Sequence, residues 1–432
     1  MGEEGCFLVY TVASFYTTRM DDDKDIRTFP SQLYDPQTIL RQGPMEGRKR
    51  GRGMQPLDEI EVGGAISAQA IRQEALRVAQ NVPSMAGGCI WLAQCFQGAA
   101  EFLEILGFKR DRIPLEQNSK RRVDAVFRQQ LQDLVRWKVL TKAVRSELPS
   151  LWAGFFVVPK SETLSRAIFD LRSINAYFAD PWKFHLPQHE EVLATMLQLG
   201  ESQGAWCSEG DLRHYFYQIR LADDLRGVFS VLDPDGHALQ ARVLLMGFSW
   251  APILAQQLAA TLAVASLSTS EKWLVTVPVV GQTGAPSHID ISPQPSHESW
   301  GQPSDAGRLA ARIFIYIDNF LIVAESRDTR DEITEAVEAG VRGLNARWKI
   351  PLDQKSGLRR VDPTSGELTE RSVVHFIGVA YSCAPSRVDW TLSRDFVEKW
   401  RTTLENIKDV KEMTPREAYS MAGALIWAVR VL

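Results

Sequence analysis

Cysteine is scarce in this sequence, and the few cysteines have no spacing that would hold a metal or a disulfide framework. The 432 residues include five of them: Cys6, Cys89, Cys95, Cys207 and Cys383. Their number is odd and no C-x-x-C pair occurs, which is atypical of zinc sites and of small disulfide-bonded secreted domains. We therefore expect an intracellular protein, cytoplasmic or nuclear, in a reducing compartment.

Long apolar runs and a large charge excess are also lacking. No apolar run reaches the roughly 18 residues of a membrane-spanning helix. The first residues, Met1-Gly2-Glu3-Glu4, lack the basic region of a signal peptide. We accordingly expect no membrane partner. The net charge is −4, so overall charge does not indicate a nucleic-acid partner, although short basic clusters occur at 48–52 and 120–122.

The most informative stretch is 312–324, Arg-Ile-Phe-Ile-Tyr-Ile-Asp-Asn-Phe-Leu-Ile-Val-Ala. Two β-branched and aromatic runs flank the polar pair Asp318-Asn319, which has the chemistry of a tight turn. The pattern predicts a buried β-hairpin with Asp318 and Asn319 at its tip. From these residues alone, Asp318 either caps the turn or binds a metal.

Two further segments carry candidate chemistry. Asp211 lies near the end of a short predicted strand, just before the aromatic residues 215–217. The segment 152–172 reads as two strands joined by a polar loop, with Lys160, Arg166 and Arg172 on the hairpin. Basic side chains on a stiff hairpin suit a polyphosphate ligand, and an ordinary solvent-facing strand pair is the alternative.

The order of these segments resembles the reverse transcriptase domain of retroelements, in particular gypsy-like long-terminal-repeat and tyrosine-recombinase-type retrotransposons. The resemblance covers about 121–432. The matching segments are 155–160 with 166–175 (fingers hairpin), 211–219 (motif A), 245–252 with Gln256 (motif B), 316–319 (the Tyr-x-Asp-Asp box), 352–355 (motif D), 375–378 (motif E) and 413–427 (after the thumb). The first six of these segments, in this order, are more specific than any one of them.

The resemblance assigns roles to individual residues. Asp211 and Asp318 would bind Mg²⁺ or Mn²⁺, and both would act with Asn319 in catalysis. Phe216, five positions after Asp211, would be a steric gate against ribonucleotides, although a packed core ring is the reading without the family. The other nucleotide-binding residues would be Lys160, Arg166, Met246, Gly247 and Tyr316. The primer-grip or structural residues would be Phe376, Gly378 and Lys355.

The implied fold is α+β: a right-hand polymerase with fingers, a palm built on an antiparallel sheet and a partial thumb. Its implied activity is RNA-directed DNA synthesis, and its partners are a primed RNA or DNA template and dNTPs. The expected regions are 1–60 (disordered or linker-like tail), 61–118 (helical, of unknown role), 119–385 (fingers and palm, with 268–308 an insertion loop) and 386–432 (start of a truncated thumb). RNase H or integrase modules would lie beyond Leu432 or be absent.

The sequence also departs from the family pattern. The box ends in Asn319 instead of aspartate, Gly210 replaces an aliphatic residue, and Met246 stands where retroviral enzymes have glutamine. Glu209, two positions before Asp211, could supply an additional carboxylate, but a solvated residue at a strand end is the preferred reading. These departures leave two alternatives open: a decayed or domesticated nucleic-acid-binding relative, and an RNA-dependent RNA polymerase, against which Phe216 argues.

Overall fold

The structure is a computed structural model. It describes residues 56–60, 63–109, 125–143, 151–159, 163–201, 204–277, 285–295, 308–352, 359–361, 368–370, 373–384, 387–394, 396–398, 400–401 and 428. Residues 55–390 form one compact unit, and 1–54 with 391–432 form a second. The first unit contains the elements discussed below, apart from the last two residues of the final strand, 391–392. Lys160 and Lys355, both predicted site residues, lie outside the described residues.

The helices and strands alternate irregularly along the chain, as in a mixed fold. The helices include α1 Ala68–Asn81, α2 Ala86–Cys95, α3 Ala99–Ile105, α4 Ala125–Arg136, α5 Arg172–Asn175, α6 His189–Leu199, α7 Tyr215–Gln218, α8 Ala251–Val264 and α9 Arg327–Gly343. The first strands are β1 Leu140–Lys142, β2 Gly154–Pro159, β3 Ser165–Asp170, β4 Trp206–Leu212, β5 Ser230–Leu232, β6 Ala238–Ala241, β7 Trp273–Thr276 and β8 His288–Pro293. The later strands are β9 Ala311–Tyr316, β10 Asn319–Ala324, β11 Trp348–Ile350, β12 Arg359–Val361, β13 Leu368–Glu370, β14 Val373–Phe376, β15 Val379–Ala384 and β16 Arg387–Leu392. Among the described residues, no helix is long and apolar enough to cross a bilayer.

A six-stranded sheet in the order β11-β4-β10-β9-β8-β7 forms the centre of the first unit. Every neighbouring pair in it is antiparallel. Residues on β9 and β10, such as Ile313, Phe314 and Ile322, are fully buried. Both faces of these strands are covered, which is why their sequence is a continuous apolar run instead of an alternating one. The antiparallel sheet predicted for this region is present.

Helices α8 and α9 lie on one face of the sheet, and α6 and the β14–β15 hairpin lie on the other. Ser208 on β4 accepts a hydrogen bond from Thr334 on α9 at 3.1 Å. On the opposite face, Arg312 on β9 donates to Thr195 on α6 at 2.8 Å. Every residue of α8 except Pro252 is buried, because α1 and α2 pack on its outer side. The helical residues 68–95 therefore share a core with the sheet.

The expectation of an insertion loop over 268–308 is wrong for two of its stretches. Residues 273–276 and 288–293 form β7 and β8, which extend the sheet beyond β9. Ile289 and Ile291 are completely buried. Their alternation with polar residues has the period of a strand, but the Pro, Ser and Gly residues around them obscure that signal.

The chain before the predicted polymerase region also contributes to pairing. Asp58 N donates to Ser165 O at 2.8 Å, and Ser165 N donates to Pro56 O at 2.8 Å, so this segment lies along the edge of the β2–β3 hairpin. Farther on, Ile66 N donates to Gln218 O at 2.9 Å. The predicted linker-like character of 1–60 thus does not extend to 56–60.

Candidate active site

The sheet brings together the acidic positions that the sequence suggested. Asn319 on β10 lies directly opposite Asp211 on β4 and also opposite Tyr316 on β9. Directly opposite residues of antiparallel strands share one face of the sheet, so Asp211, Asn319 and Tyr316 form one cross-strand row. The backbone N–H of Leu212 donates to Asp318 O at 2.8 Å, which fixes the hairpin tip against the end of β4.

The hairpin turn differs by one residue from the expectation. Tyr316 and Asn319 are paired, so the two loop residues are Ile317 and Asp318, and Asn319 already belongs to β10. Ile317 has a φ of 57°, a left-handed conformation that is a real outlier for a β-branched side chain. The Asp-Asn pattern suggested a turn because both residues tolerate such angles, but the strained position falls on the isoleucine before them.

Gln256 forms side-chain hydrogen bonds with the backbone of this turn. The side chain is completely buried on α8. Its Oε1 accepts the N–H of Ile317 at 2.7 Å, and its Nε2 donates to Ile315 O and Pro286 O, each at 2.8 Å. One amide thereby satisfies three backbone groups: one on the strained residue itself, one two positions before it and one in the segment that leads into β8. Sequence analysis placed Gln256 in a motif but did not identify this role.

Asp318 is the carboxyl group with a perturbed acidity. Burial raises its pKa to about 6, and the negative charge of Asp211 adds to the effect. Asn319 Nδ2 donates to Asp318 Oδ1 at 2.9 Å, and this hydrogen bond opposes the shift. A pair of neighbouring carboxyls in a partly buried site is typical of places where a cation or a proton is bound.

Lys349 is a site residue that sequence analysis missed. Its Nζ lies 2.6 Å from Asp211 Oδ2, and its side chain is 52% exposed whereas that of Asp211 is 15% exposed. Lys349 belongs to β11, the edge strand next to β4. Nothing in the local sequence signals this contact, because it depends on how β11 pairs with a strand 138 positions earlier.

Phe216 lies on the short helix α7, which follows directly from β4. Its ring is half-buried and packs against the core. The neighbouring rings are buried and anchored: Tyr215 donates to Ala255 O at 3.1 Å and Tyr217 to Ala167 O at 3.3 Å. Phe216 is therefore the member of the trio 215–217 that keeps some exposure, as a ring beside a bound nucleotide would need.

The β2–β3 hairpin carries the predicted phosphate-binding arginine. Arg166 is exposed and lies opposite Val158 in the register. Arg172 is engaged elsewhere, since its Nε donates to Asp170 Oδ1 at 2.8 Å. This hydrogen bond lowers the pKa of Asp170. Both arginines are exposed, and they differ in that Arg172 is held by this ion pair with Asp170.

The motif B loop is attached to the segment after that hairpin. Gly247 has a φ of 109°, and a Cβ there would lie 2.8 Å from Phe169 O, so the position requires glycine. Asn175 Nδ2 donates to Gly247 O, and Asn175 Oδ1 accepts from Ser249 N, both at 3.0 Å. Met246 beside them is half-buried. These contacts fix the loop relative to β3 and α5.

The predicted primer-grip residues lie on the β14–β15 hairpin. Phe376 is buried and packs 6.4 Å from Phe314 between ring centres. Gly378 has a φ of 84° in the turn. The hairpin covers Glu209, which is 7% exposed and accepts the N–H of His375. The expectation that Glu209 is a solvated strand-end residue is therefore wrong, because β14 returns over the same face of β4.

The donor set fits a hard divalent cation. Asp211 and Asp318 offer carboxylate oxygens, and Asn319 offers an amide oxygen while its Nδ2 faces Asp318. Oxygen donors of this kind suit Mg²⁺ or Mn²⁺. A separate acidic group, Asp233, Asp235 and His237, lies on the exposed β5–β6 turn. There Asp235 already pairs with Arg128.

Comparisons with known proteins give matches among solved structures alone. No protein-family model matches the chain, and no curated protein matches it. One similar structure is a foamy viral protease-reverse transcriptase dRH in complex with double-stranded DNA: 18% identity, 86% of this chain and 54% of that chain covered, TM-score 0.40. Another is a foamy viral protease-reverse transcriptase in complex with double-stranded DNA: 17% identity, 86% and 64% covered, TM-score 0.39. This chain thus spans from about half to under two thirds of the length of those two chains.

Proposed function

We propose that this chain is a nucleotidyltransferase of the reverse transcriptase type, which extends a primer with dNTPs on an RNA or DNA template. The observation that carries the proposal is the register of β4 and β10, which sets Asn319 opposite Asp211 and brings Asp318 to the same strand ends. Rigid neighbouring strands that hold oxygen donors together suit phosphoryl transfer, which depends on positioning and charge stabilisation.

In this proposal Asp211 and Asp318 hold the divalent cations, with the amide oxygen of Asn319 as an additional ligand. When bound, such cations would neutralise the triphosphate and promote ionisation of the primer 3′-hydroxyl. Arg166 would bind the triphosphate from the hairpin side, and Lys160 would join it. Gln256 would keep Asp318 in place through its hydrogen bond to Ile317.

Phe216 would select deoxynucleotides. Its half-buried ring lies on the short helix that follows the Asp211 strand, and its two aromatic neighbours are fixed by hydrogen bonds. The helix position is thereby fixed, and the ring would obstruct a 2′-hydroxyl group. Phe216→Val should therefore raise the ratio of ribonucleotide to deoxynucleotide incorporation. An unchanged ratio would assign the ring to core packing and would reopen the RNA-dependent RNA polymerase alternative.

The direct test is primer extension on a poly(rA)/oligo(dT) template with dTTP and either Mg²⁺ or Mn²⁺. Asp211→Ala and Asp318→Ala should each abolish extension. Asp235→Ala is the matched control, since it removes an exposed carboxylate from the other acidic group and should leave extension unchanged.

The second candidate function is template binding without catalysis, and two observations favour it. Asn319 brings no negative charge, and Lys349 already lies on Asp211. A folded protein that binds primer–template but extends it with neither metal would support this candidate and contradict the polymerase proposal.

A further inference from the structure

We propose that Lys349 is a built-in competitor for the divalent cation at Asp211, so that the site binds metal tightly when a nucleotide triphosphate enters with it. This inference deepens the proposed polymerase function and rests on it. Lys349 belongs to no motif that the sequence analysis assigned, and its role follows from the geometry of β11.

The contact between Lys349 and Asp211 engages an oxygen that a metal would need. The ammonium nitrogen lies 2.6 Å from Asp211 Oδ2. The carboxylate is largely buried while the lysine stem is half exposed. An ammonium group at this distance and a divalent cation cannot both bind the same oxygen without strong repulsion. Binding of metal therefore includes the cost of moving Lys349 away.

A β-bulge directs Lys349 toward the carboxylate. Trp348 lies opposite Leu212 and Ile350 opposite Asp211, so two steps along β11 correspond to one step along β4. Lys349 is the extra residue between them. Bulges of this kind occur beside active sites, where they turn a side chain in a direction that regular pairing would not allow.

Gly210 makes room for the residue that anchors this bulge. A Cβ at Gly210 would lie 2.8 Å from Trp348 Cζ3 and 3.1 Å from two atoms of Leu352. The Trp348 ring packs edge-on against Phe320 with centres 5.3 Å apart, and Phe320 is the partner of Gly210 across the sheet. The missing side chain at Gly210 and the position of Lys349 are thus parts of one arrangement.

The charge balance of the site also favours metal binding that depends on a nucleotide triphosphate. Two carboxylates, one neutral amide and one ammonium group face each other at the strand ends. Two divalent cations would exceed this negative charge by far, so most of the neutralisation would come from the triphosphate. Because binding couplings are reciprocal, metal and nucleotide would each strengthen the binding of the other. The half-exposed lysine can leave toward solvent without burying its charge.

The test is a titration of the protein with Mn²⁺ alone, followed by the electron paramagnetic resonance signal of free Mn²⁺. Lys349→Met keeps the length of the side chain and removes its charge, so Mn²⁺ should bind about tenfold more tightly than to the wild type. Lys349→Arg keeps the charge and should bind as the wild type does. Lys272→Met, at another exposed lysine in an ion pair, is the matched control and should change nothing.

Adding a non-hydrolysable dNTP analogue should raise Mn²⁺ affinity more in the wild type than in Lys349→Met, which reduces the difference between them. An unchanged Mn²⁺ affinity in Lys349→Met would overturn the inference and leave a surface ion pair of little energetic worth. With the other acidic group removed by Asp235→Ala, Mn²⁺ binding that is unchanged by Asp211→Asn would overturn it as well, because the metal would then not be held by Asp211.

Primer extension distinguishes a failure of this inference about Lys349 from a failure of the proposed polymerase function. If Lys349→Met binds Mn²⁺ more tightly but neither protein extends a primer, the competition is real and the polymerase assignment fails. If both proteins extend a primer and their Mn²⁺ affinities agree, the polymerase assignment stands and the role of Lys349 is refuted.

Discussion

Replacing Gln256 by methionine should detach the turn at Ile317 and Asp318 from the helix that supports it. Methionine matches glutamine in length but forms no comparable hydrogen bonds. The substitution would leave three backbone groups without their partner: Ile317 N, Ile315 O and Pro286 O. Each unsatisfied buried group costs about 1–3 kcal/mol. Because Ile317 is only half-buried, we expect a total loss of about 3–5 kcal/mol in the free energy of unfolding.

The next residue in the chain supplies the control. Gln257 is on the same helix and is 2% exposed, and its Nε2 contacts the Cys89 sulfur at 3.8 Å, a weak interaction. Gln257→Met should cost less than about 1.5 kcal/mol, as for a volume-conserving core change. Urea unfolding followed by circular dichroism measures both variants.

An equal loss in the two variants would refute the reasoning, because burial alone would then explain the effect. A larger loss in Gln256→Met, accompanied by a drop in primer extension at a temperature where the protein stays folded, would identify Gln256 as a positioning residue for Asp318. The readout of extension matters because a purely structural side chain would change stability and leave the turnover of the folded fraction intact.

Three further predictions concern the same strands. Ile317→Gly should stabilise the fold by about 1 kcal/mol and raise the melting temperature slightly, because glycine adopts the φ of 57° without strain. A lower melting temperature would show that the isoleucine side chain contributes more stability than its backbone conformation costs. Gly210→Val should destabilise the fold by about 2 kcal/mol or more through overlap with Trp348, measurable by urea unfolding, whereas a neutral effect would mean that Trp348 can move. Asp318 has a pKa near 6 in the folded chain against an ordinary 3.8, so ionisation disfavours the folded state and stability should fall as pH rises from about 4 to 6. Asp318→Asn should remove that fall and be about 2 kcal/mol more stable than the wild type at pH 7.5 without divalent cations. If the unfolding free energies of the two proteins had the same pH dependence, the raised pKa would be contradicted.

The elements that sequence analysis predicted here are those encoded by contiguous residues. The apolar runs on either side of Asp318 correspond to β9 and β10, and the segment before the aromatic residues corresponds to β4 with Asp211 near its end. Local period and turn residues suffice for such strands. The roles of Arg166 and Phe216 remain predictions, since the geometry is compatible with them and does not test them.

The features that were missed depend on which segments meet across the fold. The burial of Glu209 follows from a hairpin that begins more than 160 residues later. The contact of Lys349 with Asp211 depends on a single extra residue in the pairing of β11. The strands β7 and β8 are short and lie among turn-forming residues, so their period-2 pattern is visible only over a few positions. Register and long-range pairing are not encoded in any local window.

The departures from the polymerase pattern are spatially connected, and this bears on whether the site has decayed. Gly210 faces the Trp348 ring, Trp348 precedes the bulged Lys349, and Lys349 pairs with Asp211, which lies opposite Asn319. Loss of selection would place substitutions without regard to one another and would leave cavities or unpaired charges behind. Here the space left at Gly210 is filled by an indole, and the ammonium group has a carboxylate partner. The unusual residues of this site complement one another in packing and charge, which supports the proposed change in metal binding over the alternative of decay.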